Sequence, residues 1–459
     1  MLPIRDPKPS LIQDWEKAGA SLASAISRFF ELSTLLESQC MTADMTTNDL
    51  VARIDSSLSL FQTTLDGQFT QARLALAKTR NRLMFMRSGN ILQLPEEILA
   101  DIFLKFVYNP YEEDEFPTSR LMNLDVQLIY QRVHTLHEVC TSWRQIAIAC
   151  GSLWSVVPIV DPDVGRPRVL STKLSLQRAG NQSLHLAIFK PHSLYERLQA
   201  LVPRLSQLDS INVQSESASA FQIHEVIRLL IDHQGPKSLS KLSLCHSAGP
   251  LPNDPGFNPF TSLEPQLIDL IKSLSVLRIR KITIAWEAIS FKFSDRLTEL
   301  WMDQIRLDEM ATPGFFLALT SAPELHHLTI VDTRALLEDV TICIPSTTPF
   351  PKLKSLHLES LPFNLLDLVL DFIGSGSYRL TLNPCGDIYV NYPGERVEEE
   401  DICALLRKSP VHKLILVVGE DYFWETAEGL HRILKCVPLV KNLVLNLYGI
   451  NTNILEAFV

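Results

Sequence analysis

A short apolar phrase recurs through the last two thirds of the chain. It consists of an apolar residue, two others, a leucine, one other, and a second leucine or similar residue. The clearest copies are LSKLSL (239–244), LSVLRI (274–279), LTELWM (297–302), LHHLTI (325–330), LKSLHL (353–358), VHKLIL (411–416) and VKNLVL (440–445), with weaker copies at 181–186, 208–213 and 377–382. Each copy predicts a short strand that needs neighbours to bury its apolar side. No other feature restricts the possible folds as strongly.

The spacing of the phrases indicates which repeat architecture to expect. Their fourth residues lie about 29 residues apart on average, at the upper edge of the leucine-rich-repeat range. Amphipathic helical patterns separate many copies, for example at 221–233, 264–274, 400–409 and 424–437. Alternating strand and helix predicts a β/α solenoid with the strands on its concave side. The asparagine that usually follows the last leucine is mostly missing, so we expect degenerate repeats.

The N-terminal segment has a helical composition. Residues 11–88 contain no proline and only the glycines Gly19 and Gly67. We predict two helices, 11–37 and 48–86, and the second has apolar residues every three or four positions from Leu50 to Leu76. A helical hairpin and a dimerising coiled coil both fit this pattern. The drift of the spacing and the polar interruptions favour the hairpin.

The stretch ILQLPEEILADIF, residues 91–103, is unusually apolar for its length. A helix opening at Pro95 would carry one broad apolar stripe, made of Ile98, Leu99, Ile102, Phe103, Phe106 and Val107. Residues 108–125 form a loop insertion with four consecutive acids, and a helical pattern resumes near Asp125 and continues to about residue 147. The stripe therefore needs a partner, either within the chain or on another protein.

Residues 91–157 resemble an F-box. The resemblance is carried by Leu94-Pro95, Ile98, Ile102-Phe103, Val139-Cys140, Trp143-Arg144 and Leu153-Trp154, in the family's order. It implies a three-helix unit that docks on a Skp-family linker protein, and through it on a cullin-RING ubiquitin ligase, while the repeats hold an unknown protein substrate. The residues that the resemblance assigns to linker binding are Leu94, Pro95, Ile98, Leu99, Ile102, Phe103, Val139, Cys140, Trp143, Leu153 and Trp154.

Together these features predict an α+β multi-domain protein. We expect an N-terminal helical, coiled-coil-like segment at 1–88, an F-box at 89–157 with its insertion at 108–125, and a leucine-rich-repeat-like solenoid at 158–459. The expected role is that of a substrate-recognition adaptor. The alternative is a non-ligase scaffold or regulatory protein that dimerises through its N-terminal helices.

Composition argues against several other classes of function. A net charge of −10 gives no general attraction to nucleic acid or acidic membrane surfaces. Eight scattered cysteines without a CxxC pair, and no signal-like N-terminus, indicate an intracellular protein, cytoplasmic or nuclear. We recognise no catalytic motif and expect neither enzyme activity nor a cofactor. His134, His137 and Cys140 have the spacing of metal ligands on a helix, but no fourth ligand lies nearby, so no metal site is expected.

Overall fold

The computed structural model describes most of the chain in two compact units, Met1–Leu94 and Pro95–Val459. The residues described are 9–40, 47–87, 91, 94–108, 122–160, 172–189, 198–215, 221–233, 238–246, 264–282, 284, 286, 291–335, 350–374, 376–384, 397–417, 424 and 426–446. Most of the expected acidic insertion, residues 109–121, lies outside this set.

The first unit is helical throughout its described part. Its elements are α1 (Pro9–Cys40), α2 (Thr47–Leu60), a π-helical turn (Phe61–Leu65) and α3 (Asp66–Arg87). The rings of Phe29 in α1 and Phe61 in the π turn lie 5.1 Å apart, so the two arms touch. An N-terminal helical region is therefore confirmed. The second predicted helix, 48–86, is confirmed as a continuous helical stretch over 47–87 that contains the π turn.

The drifting apolar spacing gives a physical reason for the π turn. The face of the second arm passes through Leu50, Ile54, Leu58, Phe61 and Leu65, with two consecutive four-residue steps where a regular seam alternates three and four. A π turn takes in about one extra residue relative to an α turn. It therefore returns the apolar face to the side from which it had drifted.

Three helices open the second unit. They are α4 (Glu96–Tyr108), α5 (Met122–Val139) and α6 (Thr141–Ala149), and a 3₁₀ turn, Gly151–Trp154, follows. The three helices pack against one another. The helical pattern noted from about Asp125 to residue 147 spans two helices, and they separate at Cys140, whose backbone is extended.

A parallel sheet of eleven strands follows, with neighbours in chain order. The strands are β1 (Val156–Val160), β2 (Leu184–Phe189), β3 (Leu208–Ser215), β4 (Lys241–His246), β5 (Val276–Arg280), β6 (Glu299–Asp303), β8 (His327–Val331), β10 (Ser355–Glu359), β11 (Arg379–Asn383), β12 (Val411–Val417) and β13 (Asn442–Asn446). The short strands β7 (Arg306–Leu307) and β9 (Arg334–Ala335) pair separately. The expected parallel strands are confirmed, and β1 crosses the domain boundary placed at 157.

Helices connect many of the strands. Their bounds are Thr172–Ala179, Phe221–Asp232, Glu264–Ile271, Ala311–Leu319, Phe363–Ile373, Glu399–Lys408 and Ala427–Cys436, with a 3₁₀ turn at Val202–Gln207. Four of them lie within about three residues of the helical patterns noted in the sequence. The helix Phe363–Ile373 shows how such a connection packs, since it buries an apolar side that includes Leu365, Leu366 and Val369.

The core of the sheet region consists of two rows of aliphatic side chains that run across the strands. One row joins Leu242, Leu277, Leu300, Leu328 and Leu356 in direct register. The other begins two residues further along each strand. Residues of both rows are at most 3% exposed. Full burial of a leucine contributes about 1.5–3 kcal/mol, so the rows dominate the stability of this region.

The turns after four strands explain the missing asparagine. Lys281, Gln304, Asp332 and Ser360 each directly follow a strand with φ between 41° and 54°, and each donates its backbone N–H to the carbonyl of the neighbouring strand's last residue. The next residue, where the asparagine is expected, is buried and points into the core: Ile282, Ile305, Thr333 or Leu361. Backbone hydrogen bonds thus stabilise the turn in place of an asparagine side chain.

Candidate functional site

Helix α4 carries two parallel apolar stripes of opposite exposure. Leu99, Phe103 and Val107 are each 1% exposed, whereas their chain neighbours Ile98, Ile102 and Phe106 are 40–45% exposed. Residues four apart lie on one side of a helix, and the next residue along is rotated by about 100°. One stripe therefore packs inside the three-helix unit, and the other remains on its surface.

The start of α4 is exposed as well. Leu94, at the end of the first unit, is 39% exposed, and Pro95 also lies on the surface. The helix begins at Glu96, one residue later than expected, and the Pro95 carbonyl accepts the Leu99 N–H at 3.1 Å. The acidic side chains of Glu96 and Glu97 in the first turn suit the positive end of the helix dipole.

The junction between α5 and α6 depends on Cys140. Its extended backbone ends α5, and its Sγ accepts the Trp143 N–H at 3.5 Å as a weak N-cap of α6. This places the Trp143 ring 4.8 Å from the Phe103 ring, so α6 packs on the buried stripe of α4. Val139, the last residue of α5, is exposed.

The 3₁₀ turn Gly151–Trp154 packs against the ends of α4 and α6. Leu153 and Trp154 are both buried, and the Trp154 indole Nε1–H donates to the Ala147 carbonyl at 2.9 Å. The Arg178 guanidinium lies over the Trp154 ring at 4.3 Å. The Tyr108 hydroxyl at the end of α4 donates to the Ser152 carbonyl at 3.0 Å. These contacts fix α4 and α6 to the same turn.

Helix α5 connects the unit to the sheet. The Tyr130 hydroxyl donates to the Val156 carbonyl of β1 at 2.8 Å and also contacts the Ser175 hydroxyl. Burial raises the pKa of Tyr130 well above its usual value, so this group stays a neutral donor. The three helices are therefore held against the first strand.

The structure divides the eleven residues assigned to linker binding. Four are buried within the unit and support its packing: Leu99, Phe103, Leu153 and Trp154. Two are half-buried at its edge: Cys140 and Trp143. Five are exposed: Leu94, Pro95, Ile98, Ile102 and Val139. The exposed Phe106 was not among them, although its spacing of four from Ile102 was a sufficient signal.

The two histidines of α5 behave as packing residues. The His137 ring lies 5.5 Å from Trp154 and 5.8 Å from His134. Burial, with Arg178 as a further cause, lowers the pKa of His137 to about 4, so the ring is neutral at physiological pH. In the part of the chain that the structure describes, no group of three or more His, Cys, Asp or Glu side chains could hold a metal ion.

A second candidate surface is a cleft of about 250 Å³ on the polar face of the sheet. Side chains at this face alternate with the core rows, and Asn212, Ser243, Arg278 and Trp301 stand in direct register on β3 to β6. The start of α5 borders the cleft, where the Met122 N–H donates to Gln214 Oε1 at 3.3 Å. The cleft thus lies between the three-helix unit and the sheet.

Two arginines of the cleft form ion pairs with carboxylates. Arg278 Nε lies 2.6 Å from Glu299 Oε1, and Arg280 Nε lies 3.2 Å from Asp303 Oδ2. Burial raises the pKa of the Asp303 carboxyl to about 6 in spite of the Arg280 charge. The indole Nε1 of Trp301 is buried and has no hydrogen-bond partner among the described residues.

Comparison with known proteins adds no assignment. The chain matches no protein-family model and no curated protein. Within the described residues, no helix has the length and apolar content needed to span a membrane.

Proposed function

We propose that this chain is a substrate-recognition adaptor of a Skp-cullin-F-box ubiquitin ligase. In this proposal the three helices form an F-box that docks a Skp-family linker, and the sheet region is a degenerate leucine-rich-repeat solenoid that binds a target protein. The observation that carries the proposal is the exposed stripe of Ile98, Ile102 and Phe106 on a helix whose adjacent stripe already fills its own core.

The proposed docking surface combines the exposed residues of the predicted set with Phe106. Leu94 and Pro95 are suited to enter a pocket on the linker, and Ile98 and Ile102 extend the apolar contact along α4. Apolar side chains grouped on a small helical unit are typical of a protein interface and supply its central anchors. The buried residues act indirectly, because Phe103 and Trp143 fix the orientation of the helix that presents this surface.

The target would bind at the polar face of the sheet. This face presents charged pairs together with hydroxyl and amide groups, a mixture suited to contact with a protein surface. In this arrangement the adaptor positions a substrate and needs no catalytic residue or cofactor of its own. Such an adaptor would act inside the cell, in the cytoplasm or the nucleus, together with a cullin-RING ligase.

Calorimetry of the full chain with a purified Skp-family linker tests the proposal. We expect a dissociation constant in the nanomolar to low micromolar range, and at least tenfold weaker binding, about 1.4 kcal/mol, for the Leu94→Ala, Pro95→Ala double variant. A matched control, Asp308→Ala, alters a described turn in the sheet region and should leave the affinity unchanged. A folded wild-type chain that does not bind the linker would contradict the adaptor role and favour the scaffold alternative.

A further inference from the structure

Exposed apolar side chains are concentrated in the first unit. Of the thirty large apolar side chains that are exposed in the described residues, eighteen lie between Leu11 and Leu76, in under a fifth of the chain. None of the described side chains in these helices is buried. The eighteen are Leu11, Ile12, Trp15, Leu22, Ile26, Phe29, Phe30, Leu32, Leu35, Leu36, Val51, Ile54, Leu58, Leu60, Phe61, Phe69, Leu74 and Leu76.

Helix α1 carries a regular heptad seam. Its apolar residues alternate in steps of four and three over 26 positions: Leu11, Trp15, Ala18, Leu22, Ala25, Phe29, Leu32 and Leu36. A seam of this length is typical of coiled coils and helical bundles. The contact between Phe29 and Phe61 shows that the second arm of the hairpin lies along this seam. The second arm therefore contacts the seam, but the large apolar residues of the seam remain exposed.

Two helices are too few to bury this surface. The eighteen side chains remain 38–71% exposed although the hairpin is formed. At about half of the surface of each side chain, they present on the order of 1,500 Å² of apolar area. A stable interface needs roughly 800 Å² from each partner. The uncovered area is thus ample for a permanent contact.

We propose that the uncovered face binds a second copy of this chain, so that two hairpins form a four-helix bundle. The two arms have complementary charge: α1 carries four acidic and two basic residues, and the second arm, 47–87, carries three acidic and six basic residues, five of the basic ones in α3. In a symmetric pair the same surface meets itself, so α1 of each hairpin can lie beside α3 of the other. Four-helix bundles bury apolar residues of this spacing in a common core.

Two substitutions on α1 should disrupt the contact between the two chains and leave each hairpin folded. Ile26 and Phe30 lie one turn apart on α1, are 47% and 71% exposed, and stand outside the seam that faces Phe61. The Ile26→Glu, Phe30→Glu variant places two charges in the proposed interface. Ser27→Glu, Thr34→Glu adds the same charge to exposed polar positions of the same helix and is the matched control.

Light scattering coupled to size exclusion, on the full chain at low micromolar concentration, decides the proposal. We expect twice the mass of one chain for the wild type and the control, and the mass of one chain for Ile26→Glu, Phe30→Glu, with unchanged helical circular dichroism. A single-chain mass for the wild type would overturn the proposal. A two-chain mass for the interface variant with its helices intact would overturn it as well.

If the interface variant loses helical structure, the mass of a truncated chain tests the proposal instead. Removal of residues 1–88 deletes the hairpin and should give a chain of single mass. If the truncated chain still has the mass of two chains, the contact lies elsewhere and the proposal is wrong. None of these outcomes depends on linker binding, so the proposed adaptor role is tested separately.

Discussion

The N-terminal hairpin and the parallel sheet are both built on regularly spaced apolar residues, yet they bury them to very different degrees. Side chains in the two rows of the sheet are at most 3% exposed, while the apolar side chains of the hairpin are 38–71% exposed. Strands in a sheet find neighbours on both sides within the same chain. Within a two-helix hairpin, each helix has one neighbour. Periodicity therefore identifies an apolar face but not the molecule that covers it.

Helix α4 repeats this contrast within a few residues. Its stripes differ by one position along the chain, and only one of them is covered by α5 and α6. Since the other stripe is equally apolar, its exposure reflects the lack of a further neighbour among the described residues, not a difference in chemistry. Pairs of substitutions, one at a buried and one at an exposed position, test this difference in burial.

The largest expected effect is at Phe103. Replacing Phe103 with Ala leaves a cavity beside Trp143 and should reduce the free energy of unfolding by about 3–5 kcal/mol. Ile102→Ala on the exposed stripe should cost less than about 1 kcal/mol. Denaturant unfolding monitored by tryptophan fluorescence measures both. Equal losses for the two variants would show that the stripes are not distinct.

A smaller but still large effect is expected in the sheet core. Leu328 is buried between Leu300 and Leu356 of the neighbouring strands, so Leu328→Ala should cost about 2–4 kcal/mol. Leu317 lies exposed on the helix Ala311–Leu319, and Leu317→Ala should change stability by less than about 0.5 kcal/mol. Calorimetric unfolding of both variants tests the row. A Leu328→Ala variant with an unchanged free energy of unfolding would contradict the register described above.

A modest gain is expected at one of the left-handed turn residues. Ser360 has φ of 52°, a conformation that glycine adopts without strain. Ser360→Gly should therefore raise the free energy of unfolding by about 0.5–1 kcal/mol. Ser355→Gly, within strand β10, should lower it by a similar amount, because glycine weakens a strand. A loss of stability for Ser360→Gly would indicate that its side chain is needed at the turn.

An effect confined to acidic pH is expected at His137. The pKa of His137 falls from 6.5 to about 4 in the folded chain, so between these values the unfolded chain binds more protons than the folded one. Stability should rise with pH across this window and be lost as pH falls from 6.5 towards 4. His137→Phe keeps a ring against Trp154 and should flatten this part of the stability profile. An unchanged slope of melting temperature against pH in the variant would contradict the burial of His137.

The strands of the repeats could be predicted because the phrase itself encodes their geometry. Leucines two residues apart face the same side of a strand, and the neighbouring copies bring Leu277, Leu300 and Leu328 into one row. The turns after these strands could not be predicted. Lys281 and Gln304 have left-handed backbones without a glycine or asparagine to signal them, and the turns depend on hydrogen bonds to neighbouring strands.

The helical boundaries show a similar limit. The pattern on α5 continues past Val139 without interruption, and the break at Cys140 depends on an extended backbone that the cysteine does not specify. Within α4, the sequence could not separate Leu99 from Ile98, because both are aliphatic and both recur every four residues. The choice between the stripes is made by the packing of Trp143 against Phe103. The heptad seam of α1, by contrast, was present in the sequence and could have been found.

Linker affinity and the free energy of unfolding, measured on one variant of the exposed stripe of α4, show whether a partner binds this stripe. We expect the Ile98→Ala, Ile102→Ala variant to bind a Skp-family linker at least tenfold more weakly than the wild type in calorimetry. Its free energy of unfolding should be lower by less than about 1.5 kcal/mol. This combination would show that the exposed stripe is bound by a partner. If the wild-type chain binds the linker and the variant binds it with the same affinity, the exposed stripe is not part of the docking surface.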